Sequence, residues 1–404
     1  MDRFQGLLGI AVIFGLAILF SRHRSAIKWR TLGVGLLLQI SFALLVLKWD
    51  VGFNALKSVA HGLEKLTDFT NVGTQFVFGG LFGGDNGFVF ALNVLPVIIV
   101  LGAIIGALYY LRVIQYFVDI LGGALKWLLG TSKVESVFAS TVIFLGQSEA
   151  PLVVAPYLPK LTRSELFACM TGGFASVAGS TLIGYSLLGA PLEYLLAASL
   201  MNAPGSLIVA KAFMPETEES DLDASIRDVR DTESKNIIDA IGSGAMAGGK
   251  IAVAVGCLLI AFIALITMLS AMLGGIGGWF GQDNWSLEAV FGVLFAPVAW
   301  LIGVPWSEAL DVGNFIGQKT VINEFVGFSS FGPQIDSFSP KTVMITTFAL
   351  AGFANFSSIA IQIGAIGGLV PERRGEVAKL GPWALLGGFT VNMLNAAIVG
   401  VVAL

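Results

Sequence analysis

The sequence predicts an all-α polytopic membrane protein with eight transmembrane helices and two re-entrant hairpins. Three observations predict it. Of 404 residues, 55% are hydrophobic and only 12% are charged, about half the roughly 25% charge of a soluble domain, and the mean hydropathy is +0.83. Eight charge-poor windows reach the roughly 20 residues that cross a bilayer. Two further apolar stretches are interrupted near their middles by Gly, Pro and a carboxylate. This composition excludes a soluble globular enzyme, a disordered chain and a coiled coil, and a net charge of −4 supplies no basic surface for nucleic acid.

The windows are 4–20, 31–47, 88–111, 166–190, 194–214, 251–281, 342–370 and 380–404. The first reads as a retained helix with its N-terminus outside rather than a secretory signal. Only Arg3 precedes it, beside Asp2, no small-x-small cleavage pattern follows, and Arg22, Arg24, Lys28 and Arg30 come next. Residues 52–69 place Phe53, Leu56, Val59, Ala60, Leu63 and Leu66 at helical spacing with Lys57 and Glu64 facing away, which predicts a helix lying in the membrane interface. The interrupted stretches, 125–160 and 286–319, each read as two half-helices returning to the side they entered from. Threaded this way, most of the 23 basic residues fall in cytoplasmic segments (22–30, 110–135, 160–163, 211–250 and 371–379). A full crossing by either hairpin would invert everything downstream and spoil that bias. The loop 215–235, the one densely charged segment, reads as a solvated cytoplasmic linker.

Cys169 and Cys257 both lie in apolar sequence, as small buried residues, and two cysteines cannot build a disulfide framework. His23 and His61 are the only histidines, which argues against zinc sites and Ser/His/Asp chemistry and hence against a membrane enzyme. Fifty glycines point instead to helices that approach closely or break within the bilayer.

The second half repeats features of the first. Gln147-Ser148-Glu149-Ala150 in the first hairpin resembles Trp306-Ser307-Glu308-Ala309 in the second, and Gly173-Phe174-Ala175-Ser176 resembles Gly352-Phe353-Ala354-Asn355. The spacing differs: Glu149 to Phe174 is 25 residues, Glu308 to Phe353 is 45, and the extra stretch holds Ile322-Asn323-Glu324-Phe325. A hairpin followed by a broken helix, twice and from opposite sides, is the inverted repeat of a secondary transporter.

A carboxylate at membrane depth costs about 2.5 to 3.5 kcal/mol even on lenient insertion scales, so it persists where it has partners or a wet cavity. Glu149 and Glu324 are the two strongest candidates. A purely structural role would pair Glu324 with Lys319, or Glu149 with Lys160. Glu308 is a third candidate, near a hairpin tip, while Glu165 and Glu193 begin helices, where the dipole favours a carboxylate without further function. Gln147, Ser148, Ser176, Ser180, Thr181, Asn355, Ser357 and Ser358 add a polar lining that carries no fixed positive charge, with Phe353 as an aromatic face. Such a lining suits a neutral, hydroxyl-rich solute: carboxylates accept from sugar hydroxyls and a glutamine amide pairs with a base edge. The Ser and Thr residues also have a packing role open to them, bonding to the carbonyl four residues back.

Gly146-Gln147-Ser148-Glu149-Ala150-Pro151, Met170 to Ser180, Asn323-Glu324-Phe325-Val326 and Gly352-Phe353-Ala354-Asn355-Phe356-Ser357-Ser358 together resemble the concentrative nucleoside transporters, over nearly the whole chain. The resemblance implies a homotrimeric, elevator-type cation/nucleoside symporter of the bacterial inner membrane that needs no cofactor beyond its coupling ion. It puts base contacts on Gln147, Ser148 and Glu149, ribose contacts on Glu324, Asn355 and Ser358, Phe353 beside the substrate, and a further contact on Thr181. The windows 88–111 and 251–281 would be scaffold; 125–214 and 286–404 would each hold a hairpin, a broken helix and the helix that follows. The family's sodium site maps to Leu145, Ser176 and Val177.

Sodium-coupled members carry Asn five residues ahead of the hairpin glutamine, where this chain has Val142. A hard cation seeks about six oxygens, and valine offers none. Coupling is therefore open between sodium, held by the remaining ligands and water, and protons, carried by a buried glutamate. The rival reading is a cation-selective channel lined by Glu149 and Glu324. If the missing asparagine weakens a sodium site, Val142→Asn should lower the sodium concentration for half-maximal uptake by about tenfold, the worth of one good ligand. An unchanged sodium titration would place the ion elsewhere.

Overall fold

A computed structural model describes residues 2–81, 89–218, 234–281 and 285–402, and every regular element among them is helical. An all-helical chain is what a bilayer demands, because a helix bonds its own backbone groups. α1 (Asp2–Leu19) and α2 (Trp29–Leu47) occupy the first two windows. α3 (Asp50–Phe78) runs well past the expected 52–69, its apolar face continuing through the exposed Phe69, Val72 and Phe76. The third window divides into α4 (Phe90–Asn93) and α5 (Leu95–Tyr110), with Pro96 in the first turn of α5.

α6 (Val113–Leu129) ends at Gly130, whose φ of 66° closes it. Residues 125–129, expected in the first hairpin, therefore belong to a separate helix. The rest of the expected hairpin consists of α7 (Lys133–Thr141), an unwound segment at 142–149, called the first tip below, and α8 (Ala150–Val153). α7 starts with a capping box: Ser132 N–H donates to Glu135 at 2.7 Å and Glu135 N–H donates to Ser132 Oγ at 3.4 Å. α9 (Arg163–Ala175) starts with the same device at Thr162 and Glu165, so Glu165 is indeed a cap. The window at 166–190 then breaks at 176–178 before α10 (Gly179–Leu187).

After α11 (Leu192–Phe213), residues 219–233 of the charged loop lie outside the described residues. α12 (Ile237–Gly278) is 42 residues long. α13 (Leu287–Leu301) and α14 (Trp306–Val321) meet at a 117° bend within the stretch 286–319. A second break follows at once, before α15 (Glu324–Phe331). α16 (Pro340–Leu350) and α17 (Phe356–Leu369) flank an unwound stretch at 351–355, and α18 (Arg374–Val402) closes the chain. Among the described residues six stretches are long and apolar enough to cross a membrane: Trp29–Leu47, Phe90–Tyr110, Arg163–Leu187, Leu192–Phe213, Ile237–Gly278 and Pro371–Val402. Gln5–Leu19 and Phe356–Leu369 are shorter apolar helices. Cys169 is buried as expected, but Cys257 is exposed on α12.

Burial separates centre from periphery. Of the most apolar 18 residues in the Arg163–Leu187 stretch 94% are buried within the protein, of those in α12 only 24%. The centre is α9, α11 and α18, with α16 and α17 packed on α18. At the periphery α5 lies along α12, and the contact is backbone on backbone. A Cβ added at Gly102 would stand 2.5 Å from Gly244 O, one at Gly106 2.5 Å from Ala240 O, and one at Gly248 2.6 Å from Ile98 O. Gly102/Gly106 and Gly244/Gly248 are thus paired small-xxx-small motifs, which hold membrane helices by close approach where no hydrophobic effect drives them together.

The structure also sets the register of the repeat. The break carrying Glu149 is followed by α8, a 3₁₀ turn (Leu158–Lys160), α9 capped by Thr162, a break and α10. The break at Ile322–Asn323 is followed by α15, a 3₁₀ segment (Gly332–Ser337), α16 capped by Ser339, a break and α17. Glu324, not Glu308, is therefore the counterpart of Glu149, and the spacing mismatch shrinks: Glu324 to Phe353 is 29 residues. Gly244→Val forces apart two backbones in contact, a change that costs about 1 to 3 kcal/mol. It should lower the melting temperature of the detergent-purified protein, whereas Gly242→Val, where an added Cβ meets nothing, should not.

Candidate functional site

Helix ends, rather than helix faces, build the site. Asn323 caps α15, its Oδ1 accepting from Val326 N–H at 3.0 Å, and Asn355 caps α17, its Oδ1 accepting from Ser358 N–H at 2.9 Å. The caps start both helices inside the protein and aim their N-termini at a common space. Glu324 is the first residue of α15; Ser180 and Thr181 are in the first turn of α10, and Ser357 and Ser358 in that of α17. The positive ends of three helix dipoles thus converge where the carboxylates lie.

The space is a cavity of about 310 Å³. Gln147, Ser148, Glu149 and Thr181 line it from the first half; Glu324, Phe353, Asn355 and Ser358 line it from the second. Every substrate contact expected from the sequence is therefore at one place. Glu324 is buried, receives Tyr185 O–H on Oε1 at 2.9 Å and Asn355 Nδ2–H on Oε2 at 3.1 Å, and has lone pairs to spare. Gln147 Nε2 donates to Ser358 Oγ at 2.7 Å, which ties the first tip to α17. Glu149 folds back over Gly146, where an added Cβ would stand 2.7 Å from Oε2.

Neither carboxylate is in direct ion-pair contact with the lysine that a structural role would require. Among the described residues no ion pair within 4 Å joins Glu324 to Lys319 or Glu149 to Lys160. Glu308 lies outside the cavity lining, and Ser339 N–H and Oγ–H donate to it at 3.4 Å each. The lining does contain one basic residue, contrary to the sequence reading: Lys250 reaches it from α12. It went unseen because it is distant in sequence from every motif. Tyr185, Phe325 and Gln362 were missed too. Gln362 Nε2 donates to Met170 O at 3.0 Å and approaches Gln147 Oε1 at 3.4 Å, so it orients Gln147 from behind. A lone glutamine in the apolar run of α17 was the available signal.

The expected ion ligands lie on the first tip (Leu145) and on the α9–α10 break (Ser176 and Val177). Leu145, Ser176, Val177 and the Val142 side chain are all buried, and Gly179 N–H donates to Phe144 O at 3.1 Å, bonding the tip to the α9–α10 break. Ser176 Oγ donates to Gly173 O at 2.9 Å and keeps its lone pairs.

A model of the sodium-dependent nucleoside transporter C-terminus matches residues 194–400, one of its N-terminus matches 8–81, and a nucleoside recognition (Gate) model matches 91–192. The chain belongs to the concentrative nucleoside transporter family. It is 50% identical to the uncharacterised transporter YutK of Bacillus subtilis over 99% of both chains, and 42% identical to the putative nucleoside permease NupX of Escherichia coli over 99% of both. The solved structure of the transporter CNTnw in an inward-facing, substrate-bound state superimposes with a TM-score of 0.95 at 46% identity, covering 100% of this chain and 98% of that one. A concentrative nucleoside transporter is a multi-pass membrane protein and not an enzyme, and its family is sodium-dependent by description.

Tyr185→Phe removes one donor from Glu324 and leaves the ring packed on Phe325 and Phe328. A hydrogen bond to a charged group contributes about 1.5 to 3 kcal/mol, so nucleoside binding measured by calorimetry should weaken by roughly tenfold or more. Unchanged affinity would show that Asn355 alone suffices to hold Glu324.

Proposed function

We propose that the protein imports nucleosides such as uridine by cation-coupled symport, with an elevator alternating-access mechanism. The observation that supports this most is the convergence of Glu149, Glu324 and the amide and hydroxyl set from both halves on one cavity. In this reading Gln147, Ser148 and Glu149 receive the base. The Glu324 carboxylate accepts from ribose hydroxyls beside Asn355 and Ser358, with Phe353 against the sugar or base and Thr181 completing the wall. Tip, breaks and α15 form the mobile transport domain, and α5 and α12 form the scaffold of a homotrimer in the bacterial inner membrane. Eight crossings follow when Gln5–Leu19 and the α16–α17 pair each count as a span and the two breaks at Glu149 and Glu324 as re-entrant tips, with the N-terminus outside.

The coupling cation would sit between the first tip and the α9–α10 break, on the Leu145 and Val177 carbonyls and the Ser176 hydroxyl. By organising the tip that carries Gln147 and Glu149 it raises nucleoside affinity, and linkage requires that nucleoside raise cation affinity equally. Sodium is the ion the family description favours; a proton on a buried glutamate is the alternative that Val142 keeps open.

Radiolabelled uridine uptake into proteoliposomes tests the reading. An inward sodium gradient at equal pH should drive saturable uptake and counterflow. Uptake driven only by a proton gradient in sodium-free buffer would assign the coupling to protons. Flux that neither saturates nor shows counterflow would favour the channel.

A further inference from the structure

Lys319 is fully buried three residues before the break that carries Glu324, and no part of the site described above uses it. Its Nζ donates to Ala349 O at 2.8 Å and to Asn392 Oδ1 at 2.6 Å. Ala349 lies in the last turn of α16, and in a continuing helix its carbonyl would accept from Phe353 N–H. Phe353 N–H instead donates to Ser176 O, 3.1 Å away in the other broken helix. The ammonium thus occupies the place of a lost backbone donor, at the negative end of a half-helix, where a positive charge is favoured.

Asn392 extends the arrangement. Its Nδ2 donates at 3.0 Å to Ala175 O and at 3.0 Å to Ala351 O, the carbonyls left free where α9 and α16 end. Gly352 makes room for it, since an added Cβ there would stand 2.5 Å from Nδ2 and 2.7 Å from Ala175 O. The two halves differ in one respect. The last turn of α16 receives a lysine ammonium; the last turn of α9 receives neutral side-chain donors, the Asn392 amide on Ala175 O and the Ser176 hydroxyl on Gly173 O, and there the proposed coupling cation would bind.

We propose that Lys319 is a tethered cation, a positioning residue whose charge does permanently for the second helix break what a mobile cation does for the first. The ammonium holds the end of α16, and through it the unwound 351–355 segment, so that Phe353 and Asn355 face the cavity whether or not an ion is bound. The half of the site assigned to ribose is then preformed, and only the half assigned to the base responds to the coupling ion. This inference rests on the transport reading above.

The test is charge rescue in proteoliposomes, with wild-type uridine uptake run alongside to check the transport reading by itself. Lys319→Ala should reduce uptake by roughly tenfold or more, as expected for buried carbonyls left without a donor. n-Propylammonium, which fits the truncated side chain, should restore much of the loss, whereas n-propanol should not. Equal restoration by both, or by neither, would overturn the proposal. Should Lys319→Ala fail to fold, Lys319→Met keeps all but the last atom of the chain and removes the charge. It should elute as wild type yet bind uridine roughly tenfold more weakly by calorimetry, and wild-type affinity in that variant would equally overturn the proposal.

Discussion

A peptide group freed inside a bilayer has no water to turn to, and leaving it unpaired costs several kcal/mol. This constraint organises the molecule. Two helices break at the centre, at 176–178 and 351–355, and each break frees donors and acceptors. The breaks satisfy one another across the core. Phe353 N–H bonds to Ser176 O, Gly179 N–H bonds to Phe144 O in the neighbouring tip, and α18 contributes Asn392 to bridge Ala175 O and Ala351 O. Asn202 and Asn395 continue the network, with Asn395 Nδ2 donating to Asn202 Oδ1 at 2.7 Å and Gln39 Nε2 to Asn395 Oδ1 at 2.6 Å. A buried polar chain of this kind fixes one arrangement, because a shift by one residue would orphan several groups together.

The same breaks make carboxylates tolerable at this depth. Glu324 begins α15 and is held by Tyr185 and Asn355, so its charge meets a helix N-terminus and two donors rather than hydrocarbon. A polar solute entering the cavity meets acceptors already oriented by their neighbours. Affinity then depends less on ordering side chains at the moment of binding.

Much of this was legible in the sequence. The apolar windows located the spanning stretches, and the motifs around Glu149, Glu324 and Asn355 identified residues that do share a cavity. The repeat was aligned through the wrong glutamate because Ser307-Glu308-Ala309 copies Ser148-Glu149-Ala150 in letters, whereas the structural equivalence lies in helix ends, and Asn323 as a cap was the better marker. Tyr185, Gln362 and Lys250 escaped because their roles depend on which helices meet, and no spacing along one helix encodes that. The first hairpin was begun too early because the turn at Gly130 falls inside an apolar stretch that reads as continuous.

The paired glycines of α5 and α12 have an effect beyond joining two helices. A second space of about 430 Å³ adjoins the first, sharing Gly146, Glu149 and Ser180, and its opposite wall is Gly102, Gly106, Gly244, Ala247 and Gly248. Ile105, Tyr109 and Ile251 are the large side chains that α5 and α12 add to that wall, and between them it is low and smooth, with few of the ridges and grooves by which helices usually interlock. A body pressed against it meets few rotamer barriers along its path, so the surface behaves like the smooth race of a bearing. Under the elevator mechanism proposed above, friction against α5 and α12, and with it the speed of sliding, would be set largely by residues that carry almost no side chain.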